Sequence, residues 1–131
     1  MGIAALITWL VTAAGGFVLV GLWAARGGHR AGSGNESRLA PGLVFGHLGL
    51  AVVGLVLWIA YLVTDTDGLG WAGFAVLLPV ALLGFVMFAR WLSSRRTGAA
   101  ESRFPVPVVL GHGLLGATTL VLALLAAAGV G

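Results

Sequence analysis

Residues 43–63 read LVFGHLGLAVVGLVLWIAYLV, an apolar run in which His47 is the one side chain that can gain charge near neutral pH. A helix needs about 20 such residues to cross the hydrocarbon of a bilayer. Three further runs have the same character. The predicted spans are Ile3–Ala25, Leu43–Val63, Gly70–Leu92 and Val106–Val130. We therefore predict an all-α integral membrane protein, an up-down-up-down four-helix bundle that occupies the single domain 1–131.

The composition excludes an ordinary soluble domain. Of 131 residues, 60% are hydrophobic and 8% charged, and the mean hydropathy is +1.08, whereas soluble domains carry about a quarter charged residues. The absence of cysteine excludes disulfides, thiolate metal sites and iron–sulfur clusters. We expect the first span to remain in the mature protein, because no positive charge precedes Ile3 as it does in a signal peptide.

The charged residues indicate an orientation in the membrane. The segments 26–41 and 90–105, which include the inner end of the third span, hold all seven arginines, and the chain has no lysine. The connection between the second and third spans holds Asp65 and Asp67. The positive-inside rule then places both arginine-rich linkers in the cytoplasm and both termini outside, which explains the basic pI without a nucleic-acid partner. We also expect the tryptophans to form belts at the two interfaces. Glycine, alanine and arginine without lysine indicate a GC-rich bacterial genome, and hence the inner (plasma) membrane.

The two halves of the chain are similar. ESRLAPGLVFGHLGL begins at Glu36 and ESRFPVPVVLGHGLL at Glu101, an offset of 65 residues. LWAARGGHR from Leu22 aligns with MFARWLSSR from Met87 at the same offset. This pattern indicates a duplicated helical hairpin, because the similar region includes parts of both helices. The predicted repeats are residues 1–65 and 66–131, approximately.

The repeat brings His47 and His112 to corresponding positions. A two-span unit keeps its orientation when duplicated, so the second and fourth helices are parallel, and in a four-helix ring they are diagonal neighbours. With Pro41 and Pro105 as helix starts, each histidine lies roughly 10 Å below the interface at 1.5 Å per residue. We therefore expect the two imidazoles to meet inside the bundle.

Small residues accompany the histidines. Positions four and seven residues further along a helix share its face. The small residues on or beside the histidine faces are Gly46, Ala51 and Gly54 in the second span and Gly111, Gly116 and Thr119 in the fourth. They allow either close approach of a neighbouring helix or entry of a flat ring whose metal takes an axial nitrogen from each histidine. An ionisable residue at one depth in each repeat favours the second interpretation.

The scheme resembles the respiratory b-type cytochromes, whose four-helix core holds haem between histidines on the second and fourth helices. The similarity covers the helix plan and the two GH positions, in FGHLG and LGHGLL. It implies haem b as cofactor, His47 and His112 as its metal ligands, and electron relay as function. Those cytochromes usually carry a second histidine about four turns along each ligand helix, where this chain has Ala60–Tyr61 and Leu125–Ala126. The resemblance thus implies at most one haem.

Arg38 and Arg103 stand nine residues before the two histidines. They are candidates to bind haem propionates, which an arginine fork suits, or they are ordinary anchors on the positive side of the membrane. We expect Glu36 and Glu101 to be solvated partners of these arginines. The GGHRAGSGNES segment is typical of a flexible loop, and its His29 is not expected to be a ligand.

Other functions are compatible with the sequence. Without haem, the histidines would be neutral imidazoles bonded to carbonyls or threonines, in an accessory or assembly subunit of a membrane complex. A small proton-coupled transporter is a further alternative, although the spans hold no acid to complete a relay. Two histidines supply only two of the four ligands that a zinc site needs. A copper site is disfavoured because the chain has no cysteine and no suitably placed methionine. The expected partners are the bilayer, a second copy or a larger redox complex, and a quinone.

Overall fold

The structure, a computed structural model, describes residues 1–30 and 37–130. Its elements are α1 (Gly2–Ala25), α2 (Pro41–Thr64), α3 (Asp67–Ser94), a 3₁₀ turn (Ala100–Arg103) and α4 (Val106–Ala127). All four α-helices are long and apolar enough to cross a membrane, and the described residues include no strand. The chain is an all-helical, multi-pass membrane protein, which confirms the prediction from its four apolar runs.

The connection between α2 and α3 is shorter than the sequence indicates. Only Asp65 and Thr66 separate the helices, so α3 begins at Asp67 and not at Gly70. Asp65 ends α2 in the left-handed conformation with φ 51°, and its N–H donates to the Tyr61 carbonyl at 2.9 Å. Aspartate tolerates this conformation better than most residues. The carboxylate of Asp67 favours a first turn, because the helix N-terminus is positive.

The last helix ends three residues before the predicted limit. Gly129 has φ 72°, its N–H donates to the Ala126 carbonyl at 3.0 Å, and the N–H of Val130 donates to Leu125 at 2.8 Å. This glycine-centred arrangement satisfies the last carbonyls of a helix and stops it. The stop is invisible to hydropathy, because alanine, glycine and valine continue the apolar run.

The four helices form a ring. Contacts among the described helices join neighbours in the order α1, α2, α3, α4 and back to α1, and none joins α2 to α4 or α1 to α3. The most extensive packing is α2 on α3 and α1 on α4, which crosses between the two hairpins. We call the end at which α2 and α4 begin the arginine end, and the opposite end, with the α2–α3 turn, the aspartate end.

The buried side chains form two separate cores. The arginine-end core consists of Trp23, Leu39, Val44, Trp91, Ala100, Phe104 and Val109. The aspartate-end core consists of Ala5, Trp9, Trp58, Leu77, Val80, Ala123 and Ala126. Most large residues between these sets and on the outer faces are exposed, as expected of side chains that contact lipid.

The tryptophans correct one expectation. Trp9, Trp23, Trp58 and Trp91 lie near the helix ends but are buried inside the protein, and Trp71 alone among the five is exposed. The positions of these side chains near the helix ends are typical of interfacial belts, but their burial inside the protein is not. In a bilayer, packing between helices replaces the hydrophobic effect as the source of association, and large rings provide much of that packing here.

Two glycines let the aspartate-end core close around indole rings. A β-carbon at Gly54 would lie 3.0 Å from Cη2 of Trp9, and one at Gly73 would lie 3.3 Å from Cε3 of Trp58. The centroids of Trp9 and Trp58 are 6.4 Å apart, and Nε1–H of Trp58 donates to the Gly2 carbonyl at 3.2 Å. Helices α1, α2 and α3 therefore meet through these two rings.

We predict that Gly54→Leu destabilises the protein by about 1–3 kcal/mol, the usual cost of overpacking a closed core. Gly49→Leu is the matched control, because Gly49 is exposed on the same helix and has open space beside it. Unfolding in detergent micelles, followed by circular dichroism, measures both. Equal stability of the two variants would contradict the packing described here.

Candidate histidine pair

The starts of α2 and α4 fix the level of the two histidines. Pro41 is the first residue of α2 and Pro105 caps α4, which begins at Val106. Proline suits these positions because its missing N–H has no partner in a first turn. His47 and His112 each follow the first helical residue by six positions, and both helices begin at the arginine end. The histidines therefore lie at about the same distance from that end.

The structure brings the two imidazoles together across the ring of helices. The ring centroids of His47 and His112 are 6.2 Å apart, with an angle of 65° between the ring planes. Both side chains are partly buried. No Cα atom of α2 lies within 8 Å of a Cα atom of α4. The two helices therefore approach each other across the bundle only through their side chains.

Each imidazole is held by a backbone carbonyl of the neighbouring hairpin. Nδ1 of His47 lies 2.9 Å from the Val80 carbonyl oxygen in α3, and Nδ1 of His112 lies 2.8 Å from the Thr12 carbonyl oxygen in α1. A carbonyl only accepts, so Nδ1 carries the proton in both rings. Nε2 of each neutral ring then presents a lone pair. This is the arrangement that orients histidines towards a metal, and it also satisfies a structural histidine.

Glycines on α1 and α3 make room for the rings. A β-carbon at Gly16 would lie 3.0 Å from Cε1 of His112, and one at Gly84 would lie 3.4 Å from Cε1 of His47. Each glycine follows by four positions the residue whose carbonyl accepts from the imidazole, Thr12 or Val80, and so lies one turn along the same face. The sequence did not predict these four contacts, because the predicted site residues lie on the two histidine helices and in the segments just before them.

These contacts also define the repeat better than sequence alignment does. Thr12 and Val80 are 68 residues apart, as are Gly16 and Gly84, whereas the histidines are 65 apart. Trp23 and Trp91 share the 68-residue spacing and both lie in the arginine-end core. The alignment of Leu22 with Met87 is therefore displaced by three residues for α1 and α3. The linker between α1 and α2 is longer than the linker between α3 and α4, which accounts for the difference between the two spacings.

The histidines lie between the two cores, in a part of the bundle that we call the histidine layer. Within the four fully described helices, no residue in this layer is buried. The flanking buried residues are Trp9 and Trp23 in α1, Val44 and Gly54 in α2, Val80 and Trp91 in α3, and Val109 and Thr119 in α4. In α2 and α4 the interval corresponds to about 15 Å of helix.

The small residues expected beside the histidines have different environments. Gly46 and Gly111 face open space, and the nearest side-chain atom to a β-carbon at Gly116 is Cγ2 of Thr12 at 3.8 Å. Ala51 packs at the edge of the aspartate-end core. The space at Gly54 is taken by Trp9, and Thr119 is buried and donates to Oγ1 of Thr8 at 3.0 Å. The last two residues therefore close the site on its aspartate-end side.

The two arginines differ in their contacts. Nη1 of Arg38 donates to Oγ of Ser93 at 3.0 Å, and the Arg38 carbonyl accepts from Nη1 of Arg90 at 3.1 Å. Arg103 is exposed at the end of the 3₁₀ turn. His29 is exposed, with its ring centroid 6.3 Å from that of Trp23 at the arginine end.

Glu101 is not a solvated partner of the arginines, as the sequence suggested. Its exposed fraction is 0%. Oε1 accepts from the backbone N–H of Arg38 at 2.7 Å, and Oε2 accepts from the hydroxyl of Ser37 at 2.8 Å. Oγ of Ser37 in turn accepts from Nε1–H of Trp23 at 2.9 Å. The prediction for Glu36, and most of the predicted flexible loop, lie outside the described residues.

Comparisons with known proteins add no assignment. No protein-family model, curated protein or solved structure matches the chain. Within residues 1–30 and 37–130, no group of three or more metal-binding side chains occurs. The arrangement that the site offers is thus a pair of oriented imidazoles, with the capacity to supply two ligands to one ion.

We predict that Gly16→Leu displaces His112 and breaks its bond to Thr12, because the added side chain occupies the position of the ring. NMR of ¹⁵N-labelled histidine measures the effect as loss of the protonated Nδ1 signal of His112, while the signal of His47 is retained. Gly21→Leu is the control, since Gly21 is exposed in the same helix with open space beside it. An unchanged His112 signal in Gly16→Leu would refute the contact.

We also predict that Glu101→Ala destabilises the protein by about 2 kcal/mol, because it removes two bonds to a buried acceptor and leaves the backbone N–H of Arg38 without its partner. Asp67→Ala removes an exposed carboxylate at the other end, and we expect it to cost less than about 1 kcal/mol. Chemical unfolding in detergent compares the two variants. A larger loss for Asp67→Ala than for Glu101→Ala would contradict the buried network.

Proposed function

We propose that this protein is a small b-type cytochrome-like membrane protein, in which His47 and His112 hold one haem b for electron relay. The observation that carries the proposal is a pair of imidazoles with ring centroids 6.2 Å apart, each hydrogen-bonded through Nδ1 to a backbone carbonyl. Histidines without a ligand role have no need to meet at the centre of a bundle, at one level, from two repeats.

The separation of the rings supports coordination of a single ion between them. Two metal–nitrogen bonds of about 2 Å, with about 1 Å from each nitrogen to its ring centre, require centroids roughly 6 Å apart. The observed distance is 6.2 Å. In a neutral imidazole, a proton on Nδ1 that is donated to the Val80 or Thr12 carbonyl leaves Nε2 as the nitrogen able to bind a metal. This agreement concerns only the spacing of the two imidazoles, and it does not identify which ion they would bind.

The surroundings favour a flat cofactor over a bare ion. A bare divalent ion needs two or more further protein ligands or waters, and the four α-helices provide no cysteine and no acid except Asp67, the first residue of α3 at the aspartate end. A porphyrin supplies four nitrogens of its own and needs only the two axial ligands. The histidine layer, with no buried side chains and with glycines at positions 46 and 111, is the part of the bundle best able to take such a ring.

The same features favour electron relay over substrate chemistry. Haem with two histidine ligands supplies a one-electron redox centre with no open axial position. The chain's own contribution is to orient the imidazoles through Thr12 and Val80 and to close the two ends of the layer with apolar cores. Apolar surroundings restrict water and so tune the potential of a bound redox group.

One haem near the arginine end is the most that we propose. The places at which a second ligand pair would lie hold Ala60, Tyr61, Leu125 and Ala126. Tyr61 packs on Trp58 with centroids 5.2 Å apart, and Ala126 belongs to the aspartate-end core. Electron transfer across the whole membrane would then require a partner, such as a quinone, a second copy or another redox subunit.

We propose the orientation that the arginines favour, in a bacterial inner membrane. The arginine end, with both long linkers, would face the cytoplasm, and the termini and the α2–α3 turn would lie outside. Under this orientation the histidine pair lies nearer the cytoplasmic surface, and an electron donor or acceptor on that side has the shorter distance to cover.

A cofactor-free accessory subunit is the second candidate. The observation that favours it is that both Nδ1 atoms already have partners and that both rings pack against glycine, which is sufficient for structural histidines. A proton relay is less well supported, because Nδ1 of each ring is engaged by a carbonyl that cannot release or accept a proton.

We predict that protein produced with ample haem shows sharp b-type bands in a dithionite-reduced minus oxidised spectrum. His47→Ala and His112→Ala should each remove most of the bound haem, because one imidazole alone holds the iron weakly. His29→Ala is the control and should retain the bands, since that histidine is exposed at the arginine end.

The outcomes separate the candidates. A colourless wild-type protein that is helical and monodisperse would reject haem binding and leave the accessory role. Bands that persist in both His47→Ala and His112→Ala would refute the assignment of ligands. Circular dichroism of each variant distinguishes loss of haem from loss of folding.

A further inference from the structure

A groove at the arginine end lies apart from the histidine pair. It has a volume of about 440 Å³ and is lined by Ser37, Arg38, Ala40, Arg90 and Ser93. One wall is the segment that precedes α2, and the other is the last part of α3. Among the lining residues that the structure describes are two arginines and no acid, and they give the groove a positive charge.

The two guanidinium groups are held in place. Nη1 of Arg38 donates to Oγ of Ser93 at 3.0 Å, and Nη1 of Arg90 donates to the Arg38 carbonyl at 3.1 Å. Oγ of Ser93 donates to the Arg90 carbonyl at 2.9 Å, which closes the network. A guanidinium has five N–H donors, so these bonds leave several on each arginine for an anion.

Buried Glu101 fixes the wall that carries Arg38. Its two carboxylate oxygens accept from the Arg38 backbone N–H and the Ser37 hydroxyl. The segment is therefore anchored from behind, and ordering it costs little when a ligand binds. An arginine pair that were merely part of a diffuse positive surface would not need a buried carboxylate beneath it.

An exposed apolar stripe leads from the groove along α3. Leu82 and Val86 have exposed fractions of 66% and 42%, and they precede Arg90 by two turns and one turn on the same face. This stripe would lie in the hydrocarbon, and Arg90 is four residues, or about 6 Å, before the end of α3. The charge and the stripe together match a molecule with an anionic head and an apolar tail.

We propose that the groove binds the phosphate of an anionic phospholipid, with its acyl chain along Leu82 and Val86. Arginine forks suit phosphate oxygens, and basic pockets beside membrane helices are typical sites for acidic headgroups. The apolar stripe favours a lipid over free phosphate. This binding does not depend on whether the histidines hold haem.

The test is native mass spectrometry of the full-length protein in detergent with phosphatidylglycerol or phosphatidylcholine of the same acyl chains. An arginine that hydrogen-bonds the phosphate should contribute about five-fold in affinity beyond the general attraction of a basic surface, because hydrogen bonds to charged groups are the stronger ones. We expect wild type to retain phosphatidylglycerol at least about five-fold better than phosphatidylcholine. Arg90→Gln and Arg38→Gln should each reduce that preference about five-fold.

Arg96→Gln is the matched control, because it removes the same charge from an exposed position at the same end, outside the groove. It should change the preference by less than about two-fold, the effect of a screened surface charge. An equal effect of Arg96→Gln and Arg90→Gln would overturn the site and leave only diffuse attraction. Circular dichroism establishes that each variant is folded. Arg38→Gln and Arg90→Gln test the groove separately, so that loss of folding in one variant leaves the other as a test.

Two further measurements separate the ligand sources. Binding of inorganic phosphate to lipid-free protein, with the same dependence on Arg90, would overturn the assignment to a lipid. Loss of phosphatidylglycerol binding in folded His47→Ala would show that Arg38 and Arg90 serve the ligand of the histidine pair, and would also overturn the proposal. Retention of the lipid by His47→Ala supports it even if the protein binds no haem.

Discussion

Two hydrogen bonds from imidazole to backbone carbonyl connect the two hairpins at the centre of the bundle. His47 of the first hairpin reaches Val80 of the second, and His112 of the second reaches Thr12 of the first. An interhelical bond of this kind is worth only about 0.6 kcal/mol on average in a membrane. Their main effect is therefore to set direction: they turn both rings inward and decide which nitrogen keeps the proton.

The stability of the bundle must come mainly from close packing, because burial among apolar helices gains little over burial in lipid. The aspartate-end core illustrates this, with Trp9 and Trp58 fitted against Gly54 and Gly73. In the histidine layer the helix residues are at most partly buried, although the rings of His112 and His47 pack against Gly16 and Gly84. The two cores and the histidine pair thus lie at different levels of the same four helices.

The sequence predicted the helices and the histidine pair but not most of their contacts, and the physics explains the difference. Length and hydropathy are sufficient to predict the membrane spans, and a repeat is sufficient to predict that His47 and His112 lie at the same level. In a chain whose core and lipid faces are both apolar, however, no periodicity distinguishes Trp58, which is buried, from Ile59, which is exposed. Gly16 and Gly84 were missed for the same reason: a glycine that receives a ring from another helix looks like any other glycine. Glu101 was misread because a carboxylate near several arginines is usually solvated, and only tertiary structure reveals the Ser37 and Arg38 donors.

The buried carboxylate connects the arginine end to the histidine pair. Glu101 lies in the 3₁₀ turn just before α4, and its two acceptors hold the residues just before α2. The starts of the two histidine helices are thus joined to each other through one side chain. Because each histidine follows its helix start by six residues, a shift of either start by one residue would move its imidazole by about 1.5 Å and rotate it by about 100°. That rotation would turn the ring away from its partner. Glu101 thus links the starts of two helices that do not contact each other directly, and this link constrains the register on which the 6.2 Å separation of the imidazoles depends.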